Sequence, residues 1–237
     1  MKLNTFSITA RCPETGQLGI AVSTKVPAVG MLCPFIESGV GAIATQSFVN
    51  PYLGIWGLQY MRQNHTAVET LEFLKRQDPG IEYRQLGIVD RSGISVGFSG
   101  SACDTWFGHR NGPNYVVAGN MLVSEDTILA MEESFLQTQG LSLAERLLKA
   151  LMAGQQAGGD KRGKQSAALK VYGSEAYPLL DLRVDEHPEP VTELWRIYTV
   201  AQESLVPLIA MLPTHDTPAG RFDFEESRRR GLLQDGR

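Results

Sequence analysis

The chain has 237 residues, 43% hydrophobic and 20% charged, enough to bury a sizeable core as one large domain or two small ones. A formal net charge of -4 leaves no electrostatic footprint for nucleic acid or an anionic membrane, and the apolar runs are too short and too often broken to span a bilayer. The expected partners are small molecules or peptides, with no nucleic acid and no membrane.

The chain opens with Lys2 followed at once by a strand pattern rather than a long apolar segment, so a cytoplasmic location is expected. Residues 5–12 alternate Phe6, Ile8 and Ala10 with Thr5, Ser7 and Thr9, and residues 19–25 alternate Ile20, Val22 and Thr24 with Ala21, Ser23 and Lys25. Both read as strands with a side-chain period of two, joined through Pro13-Glu14-Thr15-Gly16. A turn centred on Thr15 places Ile8 opposite Val22, Ala10 opposite Ile20, Ser7 opposite Ser23 and Thr5 opposite Lys25. Opposed β-carbons lie roughly 4.5–5.5 Å apart, so this register sets the Thr5 hydroxyl beside the Lys25 ammonium.

Val26-Pro27 and Cys33-Pro34 bound a loop that cannot continue a central strand, and residues 39–46 form a third strand rich in small side chains. Two helices are expected over 51–63 and 66–77, the second opened by the capping box of Thr66 and Glu69. A second hairpin follows at 85–90 and 94–98, then a strand at 115–122. Ser124 and Ser142 open helices running to about 139 and 157, strands follow at 166–172 and 179–185, and a helix spans 191–209. Hairpins with helices grouped between them favour an α+β layered fold over alternating βαβ units. A single domain over 1–212 with a charged tail or peripheral arm at 213–237 is expected.

Several motifs invite chemistry. Gly93-Ile94-Ser95-Val96-Gly97 matches GxSxG, but a nucleophile elbow needs a strand, a sharp turn and a helix, and Ser95 sits inside a hairpin arm. Residues 158–165, with Asp160, Lys161, Arg162 and Lys164, lack Walker spacing and enter a strand, leaving a solvated basic turn or a substrate-binding loop. Cys12, Cys33 and Cys103 have no CxxC spacing, and His65, His109, His187 and His215 have no HxxxH or HExxH spacing, so no disulfide framework, metal or cofactor is expected. A threonine hydroxyl is a weak nucleophile unless a base takes its proton; a free threonine amine can do so, and a nearby ammonium lowers the pKa of that amine.

The opening TFSITARCPETGQLGIAVSTK, together with ATQSF, AGNML, GGDKRGKQSAAL and LRVDEHPEPV, resembles the family catalogued as domain of unknown function 1028. That family is assigned to the N-terminal-nucleophile (Ntn) hydrolase superfamily, and the similarity runs from residue 5 to about 205. The resemblance implies a four-layer αββα sandwich of two antiparallel sheets flanked by helices. It implies amide-bond hydrolysis of a small amide or peptide-like substrate, with Thr5 as nucleophile and Asn120 of AGNML holding the oxyanion, while the hairpin register adds Lys25 as the catalytic neighbour of Thr5. Gln46, Asp160 and Arg162 are the expected substrate-binding groups, and a homodimer is expected. The alternative is a non-catalytic protein of the same fold that binds a small molecule or serves in an assembly. Proteasome-like relatives carry an acidic residue where Lys25 ends the second strand and a lysine on the third strand, which here offers Gln46. Met1-Lys2-Leu3-Asn4 precede Thr5, so the nucleophile needs cleavage of the Asn4-Thr5 bond.

Overall fold

The computed structural model describes residues 2–3, 5–221, 223 and 228–231, with backbone alone at 2–3. In chain order the elements are β1 (Lys2–Leu3), β2 (Thr5–Arg11), β3 (Leu18–Thr24), α1 (Val29–Leu32), β4 (Pro34–Glu37), β5 (Gly41–Phe48), α2 (Pro51–Arg62) and α3 (Ala67–Gln77). They continue with β6 (Arg84–Asp90), β7 (Ser95–Ser99), β8 (Gly108–Gly112), β9 (Tyr115–Gly119), α4 (Asp126–Gln137), α5 (Leu143–Gln156), β10 (Ser166–Tyr172), β11 (Pro178–Val184), α6 (Pro190–Ser204) and α7 (Val206–Ile209). The chain divides into two compact units, Met1–Arg196 and Ile197–Arg237. The second holds the last turns of α6, then α7 and a turn closed by Thr214 and Thr217. Of the tail expected at 213–237, residues 222, 224–227 and 232–237 lie outside the described residues, as do Met1 and Asn4.

The first unit is α+β, with two antiparallel sheets. One has the order β11-β10-β3-β2-β9-β8; in the other, β5 pairs β6 along one side and both β4 and β1 along the other, and β7 follows β6. β2, β3 and β9 lie against β5 and β6, α5 and α4 cover the back of the first sheet, and α2 and α3 cover the back of the second. The inner face of β5 carries Ala42 and Ala44, packed with Ile20, Val22 and Cys33, while Ile43 turns outward to Leu53, Leu71 and Leu74 beneath the helices. Small residues permit this close approach: a β-carbon on Gly87 of β6 would lie 3.2 Å from Val116 and 3.4 Å from the Thr9 hydroxyl.

The helix starts follow the expected chemistry. Thr66 and Glu69 form a reciprocal capping box at α3, Ser142 accepts from the Glu145 N–H at α5, and Asn50 with Pro51 opens α2. Strands β1, β4 and β8 were not expected, and the helix expected over 191–209 is interrupted between α6 and α7. Among the described residues no helix is long and apolar enough to cross a membrane.

The register of the first hairpin corrects the sequence expectation by one residue. Thr5 pairs with Thr24, Ser7 with Val22 and Ile8 with Ala21. The turn decides this: the Cys12 N–H donates to the Gln17 carbonyl at 2.8 Å, leaving four residues in the loop, with Gly16 at φ 72°. Polar alternation could not detect the shift, because both faces are buried. Phe6 faces α5, whose Gly154 leaves room for its ring, and Ser7 faces the other sheet.

Candidate functional site

Thr5 begins β2, between β3 and β9, and is completely buried. Its hydroxyl donates to the Thr24 hydroxyl at 3.3 Å. Its carbonyl accepts from the backbone N–H of Asn120 at 3.0 Å and, more weakly, from Asn120 Nδ2 at 3.5 Å. Asn120 reaches this position because it follows Gly119, which pairs with Phe6 at the end of β9.

From Asn120 a chain of neutral side chains crosses between the sheets. Asn120 Nδ2 donates to Gln85 Oε1 at 2.9 Å, and Gln46 Nε2 donates to the same oxygen at 2.8 Å. Gln46 Oε1 accepts from the Ser7 hydroxyl at 2.7 Å. Gln85 Nε2 faces Ser99 Oγ at 2.8 Å and the carbonyls of Gly119 and Gly108 at 2.8 and 3.0 Å. Ser99 Oγ lies 2.9 Å from His109 Nδ1, so the network runs from buried Thr5 to an exposed imidazole. Partial burial lowers the His109 pKa. Gly97 makes space for that ring, since a β-carbon there would fall 2.3 Å from His109 Cδ2.

Of the six residues singled out in the sequence, Thr5, Asn120 and Gln46 belong to this connected set, Gln46 through Gln85. Lys25 does not face Thr5, because Thr24 holds the opposing position; its side chain is exposed, with Nζ donating to the Lys164 carbonyl at 3.2 Å. Asp160 sits at the same end of the sheet in a structural role. Its carboxylate accepts from the Lys25 N–H at 3.0 Å, from the Arg162 N–H at 2.9 Å and from Arg162 Nη2 at 2.9 Å. A backbone bridge from Asp160 to Leu122 and the bond from the Lys161 N–H to the Met121 carbonyl fasten this loop beside Asn120. Arg162 keeps a third of its side chain in solvent.

Sequence reasoning missed Ser7, Thr24, Gln85 and Ser99. Ser7 and Thr24 were legible only as strand alternation, and Gln85 stands in an apolar strand with no motif around it. Met121 at φ 49° and Ser47 at φ 70° flank Asn120 and Gln46, and non-glycine residues in the left-handed region cluster at functional sites.

The site is electrically neutral at its centre: hydroxyls and carboxamides surround Thr5. Cys33, whose sulfur lies 3.9 Å from Gln46 Oε1, is pushed up to about pKa 12 by burial and stays a thiol at neutral pH. Ser95 donates to the Gly112 carbonyl at 2.6 Å from within β7, with no helix following it, so the GxSxG match is a hairpin. Among the described residues no three His, Cys, Asp or Glu side chains group as a metal site requires.

A search of curated proteins finds no match. Among solved structures, protein SPO2555 from Silicibacter pomeroyi, labelled with the family name DUF1028, is 30% identical; the alignment covers 93% of this chain and all of that one, with a TM-score of 0.85. Anbu (ancestral beta-subunit) from Yersinia bercovieri aligns over 88% of this chain and 98% of its own at 14% identity and a TM-score of 0.39, a likeness too slight to bear on fold or function. The sequence itself matches DUF1028, a family of unknown function, over residues 5–194, and the chain belongs to that family.

Proposed function

We propose that the protein is an Ntn-type amidohydrolase that cleaves a small amide or peptide-like substrate through Thr5, after residues 1–4 are removed. The observation that carries this reading is the chemistry around the Thr5 hydroxyl. Its partner among the described residues is another hydroxyl, and no carboxylate, imidazole or amine bonds to it. The base that comes with the residue is its own α-amine, which exists once the Asn4-Thr5 peptide is cut. The Thr5 side chain is completely buried in the intact chain. Two facing antiparallel sheets with helices outside them support the Ntn assignment, as does a family match that begins at Thr5.

In this reading the freed amine takes the hydroxyl proton as Oγ1 attacks the amide carbonyl, forming a C–O bond and an oxyanion. Asn120 Nδ2 supplies a hydrogen bond to that oxyanion, held in place by Gln85 Oε1. Collapse breaks the C–N bond, and the protonated amine passes its proton to the departing nitrogen. Water then hydrolyses the resulting ester to release a carboxylic acid and restore Thr5. Gln46 fixes the wall beside Ser7, Asp160 fixes the loop, and Arg162 offers a charge to the substrate. Lys25 contributes its backbone N–H to Asp160 rather than an ammonium to Thr5.

Intact mass is the first test, with a species starting at Thr5 expected. A chain beginning at Thr5 is then assayed on an amide panel beside its Thr5→Ala variant; turnover by the first and none by the second is expected. A trimmed chain that binds panel members without turning them over would instead support a non-catalytic binding protein. That reading is favoured by the satisfied, neutral network around the intact peptide.

A further inference from the structure

At the far end of β2, roughly 20 Å from Thr5 by strand rise, a cavity of about 210 Å³ opens between the first hairpin turn, the start of β9 and the facing ends of α4 and α5. Arg11 and Arg146 both line it, with Phe135 and Leu136 as apolar wall and Glu14 among its lining residues.

Arg146 is unusual for a guanidinium. Only 8% of the residue is exposed, its plane lies 4.0 Å from the centroid of the Phe135 ring, and Nη2 donates to the Phe135 carbonyl at 3.2 Å. Its Nε–H is buried with no partner, and it forms no ion pair among the described residues. Arginine remains charged under all ordinary conditions, and a buried charge normally has a counter-charge. Helix electrostatics give no reason for a cation here: Arg146 stands in the first turn of α5, where the helix dipole favours an anion. Burial lowers its pKa, and Cys12 and Glu14 only partly offset this. Glu14 is exposed and is held by the Cys12 thiol at 3.2 Å. Arg11 spends one bond, Nη1 to Asn114 Oδ1 at 3.3 Å. The Tyr115 hydroxyl is committed to Glu132 at 2.8 Å and does not compete.

We propose that this cavity is a binding site for a small monocarboxylate, whose carboxylate pairs with the guanidiniums of Arg146 and Arg11 while its short apolar portion lies against Phe135 and Leu136. Two guanidiniums against one rim carboxylate leave a single positive charge, which matches one carboxylate. The planar fork of arginine suits that group, and the apolar wall favours it over inorganic phosphate. The site stands independently of any role for Thr5.

The test is a titration of the full chain with sodium butyrate, sodium phosphate and sodium chloride at matched ionic strength. Thermal midpoint and the ¹⁵N-resolved Nε–H signal of Arg146 are the readouts. Butyrate is expected to raise the midpoint saturably and move the Arg146 Nε–H signal, with phosphate weaker by about tenfold or more and chloride inert. Arg11→Gln is expected to weaken butyrate binding by about tenfold, and Arg146→Met to abolish it. If Arg146→Met does not fold, Arg11→Gln and the Arg146 signal decide. An unmoved Arg146 signal, equal butyrate response in Arg11→Gln, or tighter binding of phosphate than of butyrate overturns the proposal.

Discussion

Gln85 is the junction of the buried network: one carboxamide oxygen accepts from two other carboxamides, and its nitrogen meets a carbonyl from β9 and a hydroxyl from β7. Gln85→Ala therefore strands several buried polar atoms at once and is expected to cost about 3 kcal/mol or more, measured by denaturant unfolding. Asn120→Ala removes one donor to Gln85 and one to Thr5, with an expected loss of about 1–3 kcal/mol. Gly97→Ala acts on the outer end. The new methyl displaces the His109 ring, and the His109 pKa, now lowered by burial, is expected to rise toward the ordinary value of about 6.5 in an NMR pH titration. At this scale the sequence was half legible. Thr5, Gln46 and Asn120 could be singled out by position and motif. Gln85 could not, since a glutamine earns its role here only through a strand that is distant in sequence.

Between elements, the tie at the end of β5 is the most consequential. Asp78, just after α3, accepts from Asn50 at the head of α2, from the Gly80 N–H and from Arg84 Nε, while Arg84 Nη1 donates to the Phe48 carbonyl at 2.7 Å. Burial pushes the Asp78 carboxyl up, but the bonds from Arg84, Asn50 and Gly80 outweigh it and leave the pKa lowered. A folded-state pKa below the unfolded one means stability that is fully present above about pH 4 and is lost as pH falls through the lower folded value. Asp78→Asn is expected to cost about 3 kcal/mol at pH 7, a fall of roughly 5–10 °C in thermal midpoint, and to flatten the acid limb of the stability curve. Helix boundaries were the most readable elements, because caps are local chemistry. The first hairpin's register was not, because hydroxyls that alternate as a solvent face would are here buried against a second sheet.

For the whole molecule, the layered arrangement was legible from the order of hairpins and helices, whereas the edge strands β1, β4 and β8 were too short or too polar to announce themselves. Among the described residues β1 contributes the pairs Lys2 with Phe48 and Leu3 with Ser47 to its sheet. A chain starting at Thr5 is accordingly expected to fold, with unfolding free energy within about 2 kcal/mol of the full-length protein.

The wiring of the sheets also sets a timetable. Thr5 meets Asn120 across 115 residues of chain, and Ser23 beside it bonds to Ser166 across 143. Contacts of such long range form late, after the entropy of closing large loops has been overcome. During synthesis the inner face of β2 can meet β5 and β6 first, whereas the two edges of the β2–β3 hairpin wait for β9 and β10. Any cleavage of the Asn4-Thr5 bond that uses Asn120 is confined to a chain synthesised past its midpoint.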